Sequence, residues 1–181
     1  MDQERKVVLF IAPSLDGYIA TQDESLEWLF RVEGKGDNGY SAFYETVDTI
    51  LMGKRTYDWI LKHVTDGFPY ANKECYVLTR SALQETEHVQ FINEDLHHFV
   101  RKLKRKNGKN IWVVGGGELL RSMLEEKLVD KLIITIAPTL LGNGIPLFPK
   151  GNYQFHLQLK NVQRFRQFVE LQYEVKKAFA P

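Results

Sequence analysis

The chain has 181 residues, 44% of them hydrophobic and 26% charged. Its 24 Lys and Arg stand against 23 Asp and Glu, so a net charge of +1 leaves no global field to draw it to nucleic acid or an anionic membrane. The one cysteine, Cys75, excludes an intrachain disulfide, and no apolar run approaches the ~18 residues of a membrane span.

In chain order, "KVVLFIA" (6–12) is β-branched and apolar without alternation, the pattern of a strand buried on both faces. "PSLDGYIATQDE" reads as a loop, with Pro13, Ser14, Asp16 and Gly17 as turn formers. "SLEWLFRV" is a short helix or turn, "EGKGDNG" a flexible connection and "YSAFYETV" a helix. "DTILMG" is a second buried strand, and the helix "KRTYDWILKHV" begins directly after Gly53. "ECYVLTRS" and "VQFIN" are the third and fourth strands. "EDLHHFVRKLKRKN" puts Leu96, Phe99, Val100 and Leu103 on one helical face, with a basic last turn and Gly108 as its cap. "IWVVGG" is a fifth strand, "GELLRSMLEEKLV" a helix and "KLIITIAP" a sixth strand. Beyond the loop "TLLGNGIPLFP", "QFHLQLKNVQRF" and "QFVELQYEVKK" alternate as a hairpin with one solvated face does. Strands alternating with helices and closing on an antiparallel pair predict an α/β protein with a mixed sheet. A single domain over 1–181, soluble and cytoplasmic, is expected.

Two strands end in glycine followed at once by a helix: "ILMG-KRTYDW" and "WVVGG-GELLRS". Helix N-termini carry free N–H groups and partial positive charge, and bare glycine lets a phosphate approach the backbone. Gly115, Gly116 and Gly117 serve either that approach or a tight strand-to-helix turn. Neither motif matches a standard fingerprint: Leu120 replaces the last glycine of GxGxxG, and "GKR" is not a P-loop. Lys54, Arg55 and Arg80 sit at strand ends, with Thr56 and Thr79 beside them. Cations at a helix start oppose its dipole, a conflict that an anion would resolve; solvated surface charge is the alternative.

The segments "SLDGYIA", "DTILMGKRTYD", "YVLTRS", "VVGGGELL" and "DKLIITIAPTLLGNGIPLF", in this order and spacing, resemble the dihydrofolate reductase superfamily. The closer branch is the C-terminal reductase domain of the bifunctional riboflavin-biosynthesis deaminase/reductase and its stand-alone relatives. The resemblance implies a three-layer fold: a mixed, mostly parallel eight-stranded sheet with a C-terminal antiparallel hairpin and helices on both faces. It implies NADPH across the strand ends. Ala12 and Ile19 would offer backbone to the nicotinamide carboxamide. Gly53, Lys54, Arg55 and Thr56 would hold the pyrophosphate from one side, and Gly115, Gly116, Gly117, Glu118 and Leu119 from the other. Thr79, Arg80 and Ser81 would read the adenosine ribose, with Arg80 favouring a 2′-phosphate.

Hydride transfer to C=N or C=O leaves negative charge that a proton source must stabilise. Asp16, Glu33, Asp37 and Asp48 are the nearby carboxylates. Ungapped counting puts Asp37 at the superfamily's substrate-side carboxylate, and a helix N-cap is its other reading. Asp16 is either a flank of the nicotinamide or a turn former, and Asp48 is structural. Thr135 matches the strand threonine that faces the substrate, or simply fills a strand. Folate itself is doubtful, because "FPYANKECYV" offers only Lys73 where folate's glutamate tail would meet an arginine. No deaminase zinc motif is present, adjacent His97 and His98 point to different helix faces, and no metal is expected. "RKLKRKNGK" reads as a solvated helix end rather than a nucleic-acid patch. The expectation is an NADPH-dependent reductase of a small pteridine- or ribosylaminopyrimidine-like substrate. A low-specificity dihydrofolate reductase and a non-catalytic NADPH-binding module are the rivals. A homodimer is expected, with the apolar "APTLLGNGIPLF" as candidate contact.

Overall fold

The computed structural model describes residues 4–81 and 83–176. Its first strand, β1 (Val7–Ile11), runs up the centre of the molecule. Val7, Val8 and Leu9 are all buried, so both faces of the strand are covered, as an unbroken apolar run requires. The chain then forms a short strand β2 (Tyr18–Ala20), two brief helices α1 (Glu27–Phe30) and α2 (Tyr40–Tyr44), and β3 (Val47–Gly53). Helix α3 (Lys54–His63) leads to β4 (Glu74–Leu78) and β5 (Gln90–Ile92). Helix α4 (Leu96–Lys104) leads to β6 (Asn110–Gly115), and α5 (Gly117–Glu125) to β7 (Lys131–Ile136). A two-residue β8 (Ile145–Pro146) precedes the hairpin β9 (Leu157–Phe165) and β10 (Phe168–Val175).

Eight strands form one sheet in the order β5-β4-β3-β6-β1-β7-β10-β9. Those from β5 to β7 pair in parallel, and β10 runs antiparallel to both β7 and β9. One face packs Phe43 of α2 and Tyr57 and Ile60 of α3 against Val8, Ile50, Met52 and Trp112. The other packs Phe99, Val100 and Leu103 of α4 and Leu120, Met123 and Leu124 of α5 against Val7, Leu9, Leu51 and Val113. Phe10, Phe43, Tyr40, Tyr44 and Trp112 stack or meet edge-on over the first face, with Phe10 and Phe43 rings 4.1 Å apart. The fold expected from the resemblance is the fold observed.

Four local expectations are corrected. The two stretches read as loops, 13–24 and 139–149, pair with each other through β2 and β8. Strands this short carry too few residues for alternation to register. Gly108 does not cap α4, whose C-cap is Arg105. Its φ is +153°, and a Cβ there would lie 2.5 Å from Asp48 Oδ2, so this glycine answers to packing. The third strand stops at Leu78, short of Thr79–Ser81. The hairpin is not solvated on one face only: β9 is exposed on both, because it is the sheet edge with no helix beyond it.

Below the sheet, Arg5 ties the starts of three strands together. It is only 4% exposed. Its Nε donates to Lys109 O (2.6 Å), Nη1 to Leu103 O (3.2 Å), and Nη2 to Thr49 Oγ1 (2.6 Å) and the Asp48 carboxylate. Asp48 in turn accepts from Lys109 N at 2.7 Å. Its structural reading therefore has a concrete partner. Asp48→Ala strands a buried guanidinium, and urea unfolding is expected to show a loss of about 3 kcal/mol. A change within about 0.5 kcal/mol, the range of an ordinary surface substitution, would mean the clamp is dispensable.

Candidate functional site

β3 and β6 are neighbours in the sheet, and each turns into a helix at its C-terminal end. The helix after β3 packs on one face and the helix after β6 on the other. The chain therefore parts between the two strand ends and leaves a crevice, the usual ligand position in open α/β sheets.

Glycine makes the parting tight. Gly116, at φ 73° and ψ 132°, is the N-cap of α5, and Gly53 is the N-cap of α3. A Cβ built on Gly116 would stand 3.4 Å from Thr56 Oγ1 and 3.7 Å from Gly53 Cα. Neither cap supplies a side-chain hydrogen bond to its helix. Two helix starts thus converge with first-turn N–H groups free for an anion.

The crevice encloses about 300 Å³. Of the residues singled out in the sequence, Ala12, Ile19, Arg55, Thr56, Gly115, Gly116 and Gly117 line it, and Gly53 is not in the lining but lies against Gly116. Glu24, Leu26, Leu29, Trp59 and Ile145 also line it and carried no sequence signal, since they come from a loop, the one-turn α1 and its N-cap, the two-residue β8 and a half-buried position of α3. Trp59 lines the crevice, whereas Trp112 is buried in the core.

The helix-start cations have protein partners. Lys54 pairs with Asp58 one turn on, and Arg55 reaches across the crevice mouth to Glu24. Arg80 and Glu118, 94% and 84% exposed, stand 3.6 Å apart and bring the end of β4 toward the start of α5. Thr79 N donates to Ile92 O, and Thr79 Oγ1 accepts from Ser81 N. Leu119 is buried among α5 and core residues.

The catalytic candidates lie away from the crevice lining. Asp16 accepts from Ser14 Oγ (2.6 Å), Gly142 N (2.7 Å) and Leu141 N (3.1 Å), which pins the 139–142 segment to the first loop. The Ser14 bond, foremost, and the two backbone bonds hold its carboxyl below the usual range. Asp37 is not the N-cap of α2, which is Gly39, but two residues before it accepts from Ser41 N (2.7 Å) and Gly39 N (3.1 Å), and the Ser41 bonds likewise lower its pKa. Thr135 is buried on β7 and donates to Glu170 Oε2 at 3.4 Å. Lys73 is committed: its Nζ donates to Val47 O (2.8 Å) and Tyr44 O (3.1 Å) and lies over the Tyr44 ring. Burial, with the Glu74 charge behind it, pushes the Cys75 thiol up to about 12, so it is no nucleophile at neutral pH.

The model of the RibD C-terminal domain matches residues 5–171. This chain belongs to that family. It is 49% identical over 171 residues to the Bacillus subtilis (strain 168) protein YwjB, covering 94% of this chain and 98% of the relative. A Shewanella sp. PV-4 protein provisionally assigned to riboflavin biosynthesis superposes with a TM-score of 0.85 at 31% identity, over 95% of this chain and 99% of that one. Dihydrofolate reductase from Enterococcus faecalis, complexed with NADP(H), shares the fold alone, with a TM-score of 0.69 at 12% identity over 96% and 98% of the two chains. The RibD C-terminal family and these neighbours place the chain among reductase folds. No described helix is long and apolar enough to cross a membrane.

Gly116→Ala puts a side chain in a backbone region open almost only to glycine, and should cost about 1–3 kcal/mol in urea unfolding. Gly117→Ala meets only Pro149 Cγ at 3.5 Å and should unfold like the wild type. Equal stability of the two variants would show that the turn does not need Gly116.

Proposed function

We propose that the chain is an NADPH-dependent reductase that delivers hydride to a small pteridine- or ribosylaminopyrimidine-like heterocycle. The supporting observation is the pair of helix starts without side-chain caps that meet where Gly53 approaches Gly116, a residue of the crevice lining. That cradle suits a pyrophosphate, which needs backbone donors and no Cβ in its way. In this reading Gly53, Lys54, Arg55 and Thr56 hold it from α3. Backbone of Gly115, Gly116, Gly117, Glu118 and Leu119 holds it from α5. Backbone of Ala12 and Ile19 orients the carboxamide on the crevice wall. Arg80, flanked by Thr79 and Ser81, binds the 2′-phosphate. Its contact with Glu118 is long and solvated, so a dianion displaces that partner readily. When bound, the cofactor supplies the hydride.

On the substrate side Thr135, buried on β7, stands beside Ala12 in the parallel register. Asp16 and Asp37 are anionic at neutral pH and hold the 139–142 segment and the start of α2. Lys73 is spent on backbone carbonyls, which argues against folate's glutamate tail and so against the low-specificity dihydrofolate reductase. Loss of reduced-nicotinamide absorbance with a panel of heterocycles separates an enzyme from a non-catalytic binder.

Titration with NADPH and NADH, followed by Trp59 fluorescence, should show saturable binding that prefers NADPH. Arg80→Ala should weaken NADPH by about tenfold while leaving NADH nearly unchanged, since only the 2′-phosphate uses a charge-assisted bond there. Equal losses would remove Arg80 from the assignment. Binding of neither nucleotide would end the reductase reading.

We also propose a homodimer. β9 is a nine-residue edge strand exposed on both faces, and Leu157, Leu159 and Val162 stand open on it. In the 137–148 run, Leu140 and Phe148 are exposed while Ala137 and Leu147 are buried. Light scattering should give twice the 21.1 kDa chain mass. A single-chain mass at every concentration would refute the dimer.

A further inference from the structure

One buried charge has no part in the reading above. Glu170 on β10 is 4% exposed, and the hydrogen bonds it accepts come from neutral groups: Gln172 Nε2 at 2.7 Å and Thr135 Oγ1 at 3.4 Å. Among the described residues it forms no ion pair within 4.0 Å. A carboxylate without a cation is expensive to bury. Arg5, the other deeply buried charged residue, has its carboxylate partner.

The sheet register shows what shares its surroundings. Glu170 pairs with Thr135 across β10 and β7. Two residues further toward the crevice end, on the same face, stand Phe168 and Ala137. Trp28 and Leu29 of α1, with Val32 just beyond it, pack against these. The indole Nε1 of Trp28 is shut off from solvent and has no acceptor among the described residues. A buried acceptor without a cation on β10 and a shut-off donor without an acceptor on α1 thus border one cluster: Glu170 stands two residues from Phe168, and Trp28 packs against the cluster. Leu29 belongs to this cluster and also lines the crevice. The parallel pairing of Ile11 with Ile134 sets Ala12, on the crevice wall, beside Thr135. The cover is lightly held: α1 is a single turn with no buried residue and no side-chain cap.

We propose that Glu170, with Thr135 and the Trp28 indole N–H, becomes the specificity-determining floor of a substrate pocket that opens off the crevice beside Ala12 and Leu29 when α1 lifts. The ligand it takes is a planar amino-heterocycle. An amidine-type edge with adjacent N–H donors meets the carboxylate in a paired, charge-assisted contact. A carbonyl or ring nitrogen accepts from the indole. Entry requires α1 to lift. The proposal deepens the reductase reading by naming its substrate class and rests on that reading for the hydride, but this contact forms without the cofactor.

The probe is 2,6-diaminopyrimidin-4-one, with uracil, which lacks the amino groups, as control. In wild-type protein with ¹⁵N-labelled tryptophan, the probe should shift the Trp28 indole resonance, assigned with Trp28→Phe, and uracil should not. Glu170→Gln should weaken the probe by about tenfold or more while NADPH binds as before. If that variant does not fold, the wild-type indole shift and Thr135→Val decide. Absence of probe binding, equal binding by wild type and Glu170→Gln, or an unmoved Trp28 resonance at saturation would each overturn the assignment. Probe binding without NADPH binding would uphold this floor and refute the cofactor reading alone.

Discussion

The approach of two backbones at Gly53 and Gly116 is the constraint on which the rest depends. β3 and β6 lie side by side up to their last residues, and their helices leave to opposite faces. A side chain at Gly116 would meet Thr56 and strain the turn that starts α5. Without that turn α5 could not lay Leu120, Met123 and Leu124 on their core cluster. The same turn opens the crevice and leaves two helix starts uncapped, so the packing and the candidate site share one cause.

Charge is placed accordingly. Lys54 and Arg55, poorly sited for the α3 dipole, are balanced by Asp58 and Glu24 at exposed positions, where such pairs contribute little. That leaves them available to an anion. Asp16 and Asp37 are spent on backbone N–H groups and fix loops. Among the described residues, the two buried charged ones differ in kind. Arg5 is saturated by carbonyls, a hydroxyl and a carboxylate, and serves the fold. Glu170 is left to neutral partners beside the crevice, where an unmet acceptor has a use.

The sequence by itself determined the order of strands and helices, both glycine turns and the family. Each is written locally, in unbroken apolar runs such as "VVLF" and "DTILM", in helical spacing such as Leu96, Phe99, Val100 and Leu103, and in glycine followed at once by a helix. The β2–β8 pair was illegible because its strands are too short to show a period. Gly108 was misread because its packing partners, Arg5 and Asp48, are remote in the chain. Only the tertiary structure decided which side chains share the crevice. Glu24, Leu29, Trp59 and Ile145 reach it from separate segments, and no local pattern marks a residue for a neighbour remote in the chain. Glu170 looks like one more polar residue in an alternating hairpin until the pairing of β10 with β7 buries it beside Thr135. Burial and partnership are properties of the assembled sheet, and these turn an ordinary carboxylate into a candidate recognition group.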